Sequence, residues 1–228
     1  PAGDQFRVAL ALRGVVDPPV IVAGSGVQPK LHVESLYDLE LDSAGDFDFT
    51  LRASRQGQPP LFEMPLTVEA GVDLLSSQTL ELPESAAALK PGTYEFTLVG
   101  ADNSFQLPLA RLSVVPESLD AVRKSNESKL AAMKFDDPTL AQALIACRAR
   151  NELLADTPSD TNSAQFLSDP LQLSADVAAE IEALAAGRDP YRGRLGDYWR
   201  VMEVKGKQIP LAVYAPEAAQ RDKPLPLF

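Results

Sequence analysis

Short runs in the first half of the chain alternate apolar and polar residues. The clearest runs cover residues 6–12, 31–34, 37–42, 46–51, 93–99 and 109–115. This period of two is typical of half-buried β-strands, whose successive side chains point to opposite faces of a sheet. Turn-forming clusters separate the runs, among them Asp17-Pro18-Pro19, Gly24-Ser25-Gly26, Ser43-Ala44-Gly45 and Gln58-Pro59-Pro60. About seven or eight short strands across residues 1–116 predict an antiparallel β-sandwich of immunoglobulin type.

From Pro116 onward the apolar residues recur with the period of an α-helix. Three helices are predicted, with the apolar stripes Leu119, Val122, Leu130 and Met133, then Leu140, Leu144, Cys147 and Leu154, then Leu173, Val177, Ile181 and Leu184. Asp137-Pro138 supplies an N-cap and a first-turn proline for the second helix. Ser174 is the expected N-cap of the third helix, and Gly187 its C-terminal stop. Residues 117–188 are therefore predicted to be a connector of about three helices.

The last part of the chain, residues 189–228, returns to strand-like patterns. The runs 199–204 and 209–214 flank Lys205-Gly206-Lys207-Gln208, which indicates a β-hairpin. A polar loop follows, and residues 223–228 read as the start of an apolar strand. The predicted fold class is α+β, in which an immunoglobulin-like β-sandwich precedes a helical region and a C-terminal hairpin.

The composition removes several classes of function. The net charge of −11 would repel nucleic acid and anionic lipid, and no apolar run approaches the ~20 residues of a membrane span. The chain has one His and one Cys. This composition argues against a zinc site, and against a complete catalytic triad because His is the usual general base.

The lone thiol and the lone imidazole have structural interpretations. Cys147 lies in an apolar helical run, where core packing is the favoured interpretation, and a nucleophilic role would need His32 as its base. His32 lies between Leu31 and Val33 in an alternating strand. We expect it on the polar face or hydrogen-bonded at the rim of the sandwich.

Two further groups of residues are candidate binding sites. The carboxylates Asp38, Glu40, Asp42, Asp46 and Asp48 suit a calcium ion in type, but the EF-hand spacing fails, since Ser43 takes the glycine position and Phe49 the terminal glutamate position. A solvated hairpin face is favoured over an adventitious cation site. Tyr198 and Trp199, beside Arg200, could form a platform for sugar stacking, although a buried anchor between helices and hairpin is preferred.

Two motifs resemble known families. Lys90-Pro91-Gly92-Thr93-Tyr94 resembles the segment that opens the penultimate strand in Ig-like and fibronectin-like modules of secreted enzymes, here without a Cys pair. Residues 196–200, 209–216 and 223–227 resemble the start of the α/β-hydrolase domain in secreted bacterial esterases of the polyhydroxybutyrate-depolymerase-like and dienelactone-hydrolase-like group. In that family such a hairpin supplies the first strands of the sheet. Some members also carry an Ig-like N-terminal domain.

The chain departs from that family in its chemistry. It has no Gly-x-Ser-x-Gly nucleophile elbow, because Gly24-Ser25-Gly26 lacks the strand-to-helix context, and it has no His-Gly turn. The resemblance implies that the catalytic α/β-hydrolase domain lies beyond Phe228. No catalytic, cofactor-binding or metal-binding residue is therefore assigned within these residues.

These inferences lead to one expected function and two alternatives. We expect a non-catalytic N-terminal region of a secreted or periplasmic serine hydrolase whose signal peptide has been removed. It would position, cover or target a catalytic domain acting on an ester or a polymer. The first alternative is a free-standing Ig-like module for binding or adhesion that recognises a polysaccharide or a protein. The second is an enzyme complete in these residues that uses a carboxylate pair.

Overall fold

The structure is a computed structural model that describes residues 12–35, 45–55, 58–70, 77–83, 86, 88–100, 106–156 and 169–216. The predicted runs at 6–11, 37–42 and 223–228 lie outside the described residues. Contacts divide the chain into two compact units. The first comprises Pro1–Pro116 and Thr157–Leu171, and the second comprises Glu117–Asp156 and Gln172–Phe228. The helices and the C-terminal hairpin thus fall mainly within the second unit.

Two β-sheets make up the described part of the first unit. The first has the order β1-β3-β6, with β1 Leu12–Asp17, β3 Lys30–Ser35 and β6 Ser77–Glu81. The second has the order β2-β8-β7-β4-β5, with β2 Val20–Val22, β4 Gly45–Arg55, β5 Pro60–Ala70, β7 Gly92–Gly100 and β8 Gln106–Val115. Every neighbouring pair is antiparallel except β2 and β8, which run parallel.

The two sheets contribute side chains to one hydrophobic core. Leu31 and Val33 come from the smaller sheet, and Leu51, Phe96 and Leu112 come from the larger one. The alternation read in the sequence is visible along β7, where buried and half-buried residues alternate from Gly92 to Leu98. The α+β class is confirmed, and the arrangement of sheets is consistent with the predicted β-sandwich.

A tyrosine fastens the start of β7 to the preceding loop. The Tyr94 hydroxyl donates a hydrogen bond of 2.7 Å to the Lys90 carbonyl oxygen, four residues upstream. The Tyr94 ring is buried in the core. A buried tyrosine bonded back to the backbone at the start of a strand is the arrangement called a tyrosine corner in β-sandwiches.

Three helices are described: α1 Leu119–Ala131, α2 Pro138–Asn151 and α3 Pro170–Ala185. Side-chain oxygens cap the first two, since Ser118 accepts from the Ala121 N–H and Asp137 accepts from the Thr139 N–H. The predicted Asp137-Pro138 start of α2 is confirmed. The stop at Gly187 is also confirmed, because its φ of +67° is a left-handed conformation that suits glycine.

The predicted N-cap of the third helix is wrong. Ser174 lies inside α3, which begins one turn earlier at Pro170. The Asp169 carboxylate accepts a 2.9 Å hydrogen bond from the Leu171 N–H, and Pro170 occupies the first turn, where its missing N–H costs nothing. This Asp-Pro start repeats the chemistry of α2, and it outweighs the weaker signal of an isolated serine.

A long hairpin follows the helices in the second unit. Its strands are β9 Gly196–Val204 and β10 Lys207–Ala215, joined by the two-residue turn Lys205-Gly206. Both turn residues have positive φ values, 52° and 73°, as a type I′ turn requires. The hairpin is confirmed, with a turn shorter than the predicted 205–208.

Strands β1 and β8 lie close together at Gly14, and this close approach gives a testable prediction. A Cβ atom at Gly14 would lie 2.5 Å from Leu109 Cγ and 3.0 Å from the Leu109 carbonyl oxygen. We therefore expect Gly14→Ala to lower the free energy of unfolding by about 1–3 kcal/mol, measured by urea denaturation. Gly92→Ala is the control, since its Cβ would meet only the flexible end of Arg55. Equal effects of the two substitutions would contradict this explanation.

Candidate functional site

The second unit contains a cluster of charged side chains and one tyrosine, in which Arg150, Glu180 and Tyr191 are buried and Asp176 and Arg194 are half-buried. It consists of Arg150 from α2, Asp176 and Glu180 from α3, and Tyr191 and Arg194 from the segment between α3 and β9. Glu180 is only 2% exposed. Buried charges are costly unless they are paired and hydrogen-bonded, so the geometry of this cluster decides what it can do.

Each arginine in the cluster bridges both carboxylates. Arg150 lies 2.9 Å from Glu180 Oε1 and 3.0 Å from Asp176 Oδ2. Arg194 lies 3.1 Å and 2.8 Å from the same two oxygens. The second Glu180 oxygen, Oε2, accepts a 3.0 Å hydrogen bond from the Tyr191 hydroxyl. Both oxygens of Glu180 are therefore engaged within the protein.

The local sequence explains why the carboxylates need these partners. Asp176 and Glu180 are four residues apart on α3, so they share one face of the helix and would repel each other. The two guanidinium groups offset this repulsion, and Gln172 adds a 2.7 Å hydrogen bond to Asp176 Oδ1. The cluster is formally neutral and ties three separate segments of the chain together.

The surroundings shift the pKa values of the two carboxyls in opposite directions. Burial raises the pKa of Glu180 and outweighs the attraction of Arg150. Burial would also raise the pKa of Asp176, but hydrogen bonds from Gln172, Arg194 and Arg150 outweigh it and lower that pKa. Burial, with the nearby charge of Glu180, raises the pKa of Tyr191. Pairs of carboxyls with diverging pKa values also occur in active sites. In this cluster, however, the carboxylate oxygens are already bonded to arginines and a tyrosine.

Cys147 lies on α2, one turn before Arg150, and is fully buried. Burial and the neighbouring Glu180 raise the pKa of the Cys147 thiol to about 12. Because the thiolate is the nucleophilic form, this group is unsuited to covalent catalysis near neutral pH. Its position agrees with the core-packing interpretation.

The other candidates from the sequence lie in the first unit. His32 is half-buried on β3, where its Nδ1 is 2.9 Å from Thr79 Oγ1. Asp48 is exposed and accepts a hydrogen bond from Thr67. Asp38, Glu40 and Asp42, and the side chain of Asp46, lie outside the described residues. In the described part of the chain, no three His, Cys, Asp or Glu side chains are grouped so that they could hold a metal ion.

Aromatic and cationic side chains join the cluster to the start of the hairpin. The rings of Tyr191 and Tyr198 are stacked, with centroids 6.1 Å apart and planes 18° apart. Arg194 lies over the Tyr198 ring at 5.4 Å, and Arg200 lies over the Tyr191 ring at 4.9 Å. Tyr198 and Arg200 thus serve as an anchor rather than as a free platform for sugars. The side chain of Trp199 lies outside the description.

The far end of the hairpin exposes apolar side chains on one face. We call Met202, Val204, Ile209 and Leu211 the hairpin patch; they are between 36% and 47% exposed. Met202 is paired with Ile209, Val204 with Lys207, and Leu211 with Arg200. Cross-strand partners share a face, so the hairpin patch continues the face on which Tyr198 and Arg200 contact Tyr191.

The edges of the hairpin differ from each other. The Glu203 N–H donates a long hydrogen bond of 3.5 Å to the Gln142 side chain of α2, so it points away from β10. Val201 lies two residues before Glu203, so its N–H also points away from β10. The partner of Val201 on β10 is Pro210, whose backbone nitrogen therefore lies at the outer edge of β10. Proline has no N–H, and it is tolerated on an edge strand for this reason. The edge of β10 therefore lacks one donor for a further strand.

No protein-family model matches this chain, and no curated protein is significantly similar to it. Among the described residues, no helix is both long enough and apolar enough to cross a membrane. The family resemblance therefore depends on the motifs themselves.

Sequence reasoning missed the charged cluster, although one signal was present. Glu180 occupies a position on the buried face of α3, beside Val177, Ile181 and Leu184. A charged residue within an apolar stripe indicates either a partner or a site. Its arginine partners come from other segments, and nothing in the sequence pairs them with it.

Removing the Glu180 carboxylate should destabilise the second unit strongly. Glu180→Ala leaves Arg150 buried with one partner fewer, so we expect the free energy of unfolding to fall by about 3–5 kcal/mol in urea denaturation. The control is Glu182→Ala, two residues away on the exposed face of α3, with an expected change within about 0.5 kcal/mol. Similar effects at both positions would show that the cluster contributes little.

Proposed function

We propose that this chain is the non-catalytic N-terminal region of a secreted or periplasmic serine hydrolase that cleaves carboxylic esters. Its role is to position or target a catalytic α/β-hydrolase domain that follows Phe228. The substrate class of the whole protein is an ester or an ester polymer. The observation that carries the proposal is the hairpin, which is anchored at one end and exposes the hairpin patch at the other.

The hairpin supports the proposal because it is long and incompletely covered. Nine cross-strand pairs join β9 to β10, which makes both strands longer than the usual five or six residues. A two-stranded ribbon is marginally stable in water unless more structure covers it. Residues 196–200 and 209–216 are also the described parts of the segments that resemble the start of a hydrolase domain, and a domain that follows them would supply that cover.

The first unit supports an Ig-like module in front of such a domain. The resemblance of residues 90–94 to Ig-like and fibronectin-like modules gains a physical basis from the Tyr94 to Lys90 hydrogen bond. Tyrosine corners are characteristic of these sandwiches. We propose that this unit is Ig-like on that ground.

The ionisable groups of the second unit support a non-catalytic role. Glu180 and Asp176 are each paired with two arginines, and Cys147 is buried with its pKa raised to about 12. Groups engaged in this way stabilise the fold and are not presented to a substrate. A free-standing binding module is the alternative, and it leaves the hairpin patch without an assigned role.

Two measurements test the proposal. The purified 228-residue chain should hydrolyse p-nitrophenyl butyrate no faster than buffer. The complete gene should encode a His-Gly turn and a Gly-x-Ser-x-Gly elbow downstream of Phe228, and its product should hydrolyse the ester in a manner that a Ser→Ala change at the elbow abolishes. Turnover by the 228-residue chain, or a gene without the elbow, would overturn the proposal.

A further inference from the structure

We draw no further inference here: the strongest candidate, the hairpin patch at the far end of the β9–β10 hairpin, is an exposed apolar face, and nothing in the structure shows what covers it.

Discussion

The buried carboxylate of Glu180 imposes a condition that the second unit has to satisfy. A charge removed from water costs several kcal/mol unless ion pairs and hydrogen bonds replace its hydration. Arg150, Arg194 and Tyr191 supply that replacement from two other segments of the chain. Because these contacts are directional, they fix the position of the segment after α3 relative to α2 and α3. A purely apolar contact at this place would hold the same segment with less constraint on its orientation.

The constraint continues from the cluster into the hairpin. Tyr191 and Arg194 belong to the charged cluster, and they also contact Arg200 and Tyr198 at the start of β9. The contacts of Glu180 therefore also help to orient the hairpin, whose far end is apolar and exposed. A hairpin that is anchored at one end and exposes an apolar face at the other suits a protein region that positions another domain. This is the physical link between the charged cluster and the proposed function.

The sequence predicted the elements whose signals are local. Alternation along residues 93–99 predicted β7, and Asp137-Pro138 predicted the start of α2. Ser174 misled because a serine is a weaker start signal than the Asp169-Pro170 pair one turn earlier. The charged cluster was beyond local reasoning, since it depends on which arginines meet Glu180 from distant segments. Likewise the hairpin was predicted, but the exposure of Ile209 depends on where the rest of the second unit packs.

A double-mutant cycle on Glu180 and Arg194 tests most directly whether the cluster holds the segment that leads into the hairpin. Glu180→Gln, Arg194→Gln and the double variant would be compared with the wild type by urea denaturation. Because the two side chains are in direct contact at 3.1 Å, the account predicts a coupling energy of about 1–3 kcal/mol. A coupling energy near zero would contradict it, because the pair would then contribute nothing beyond its separate parts.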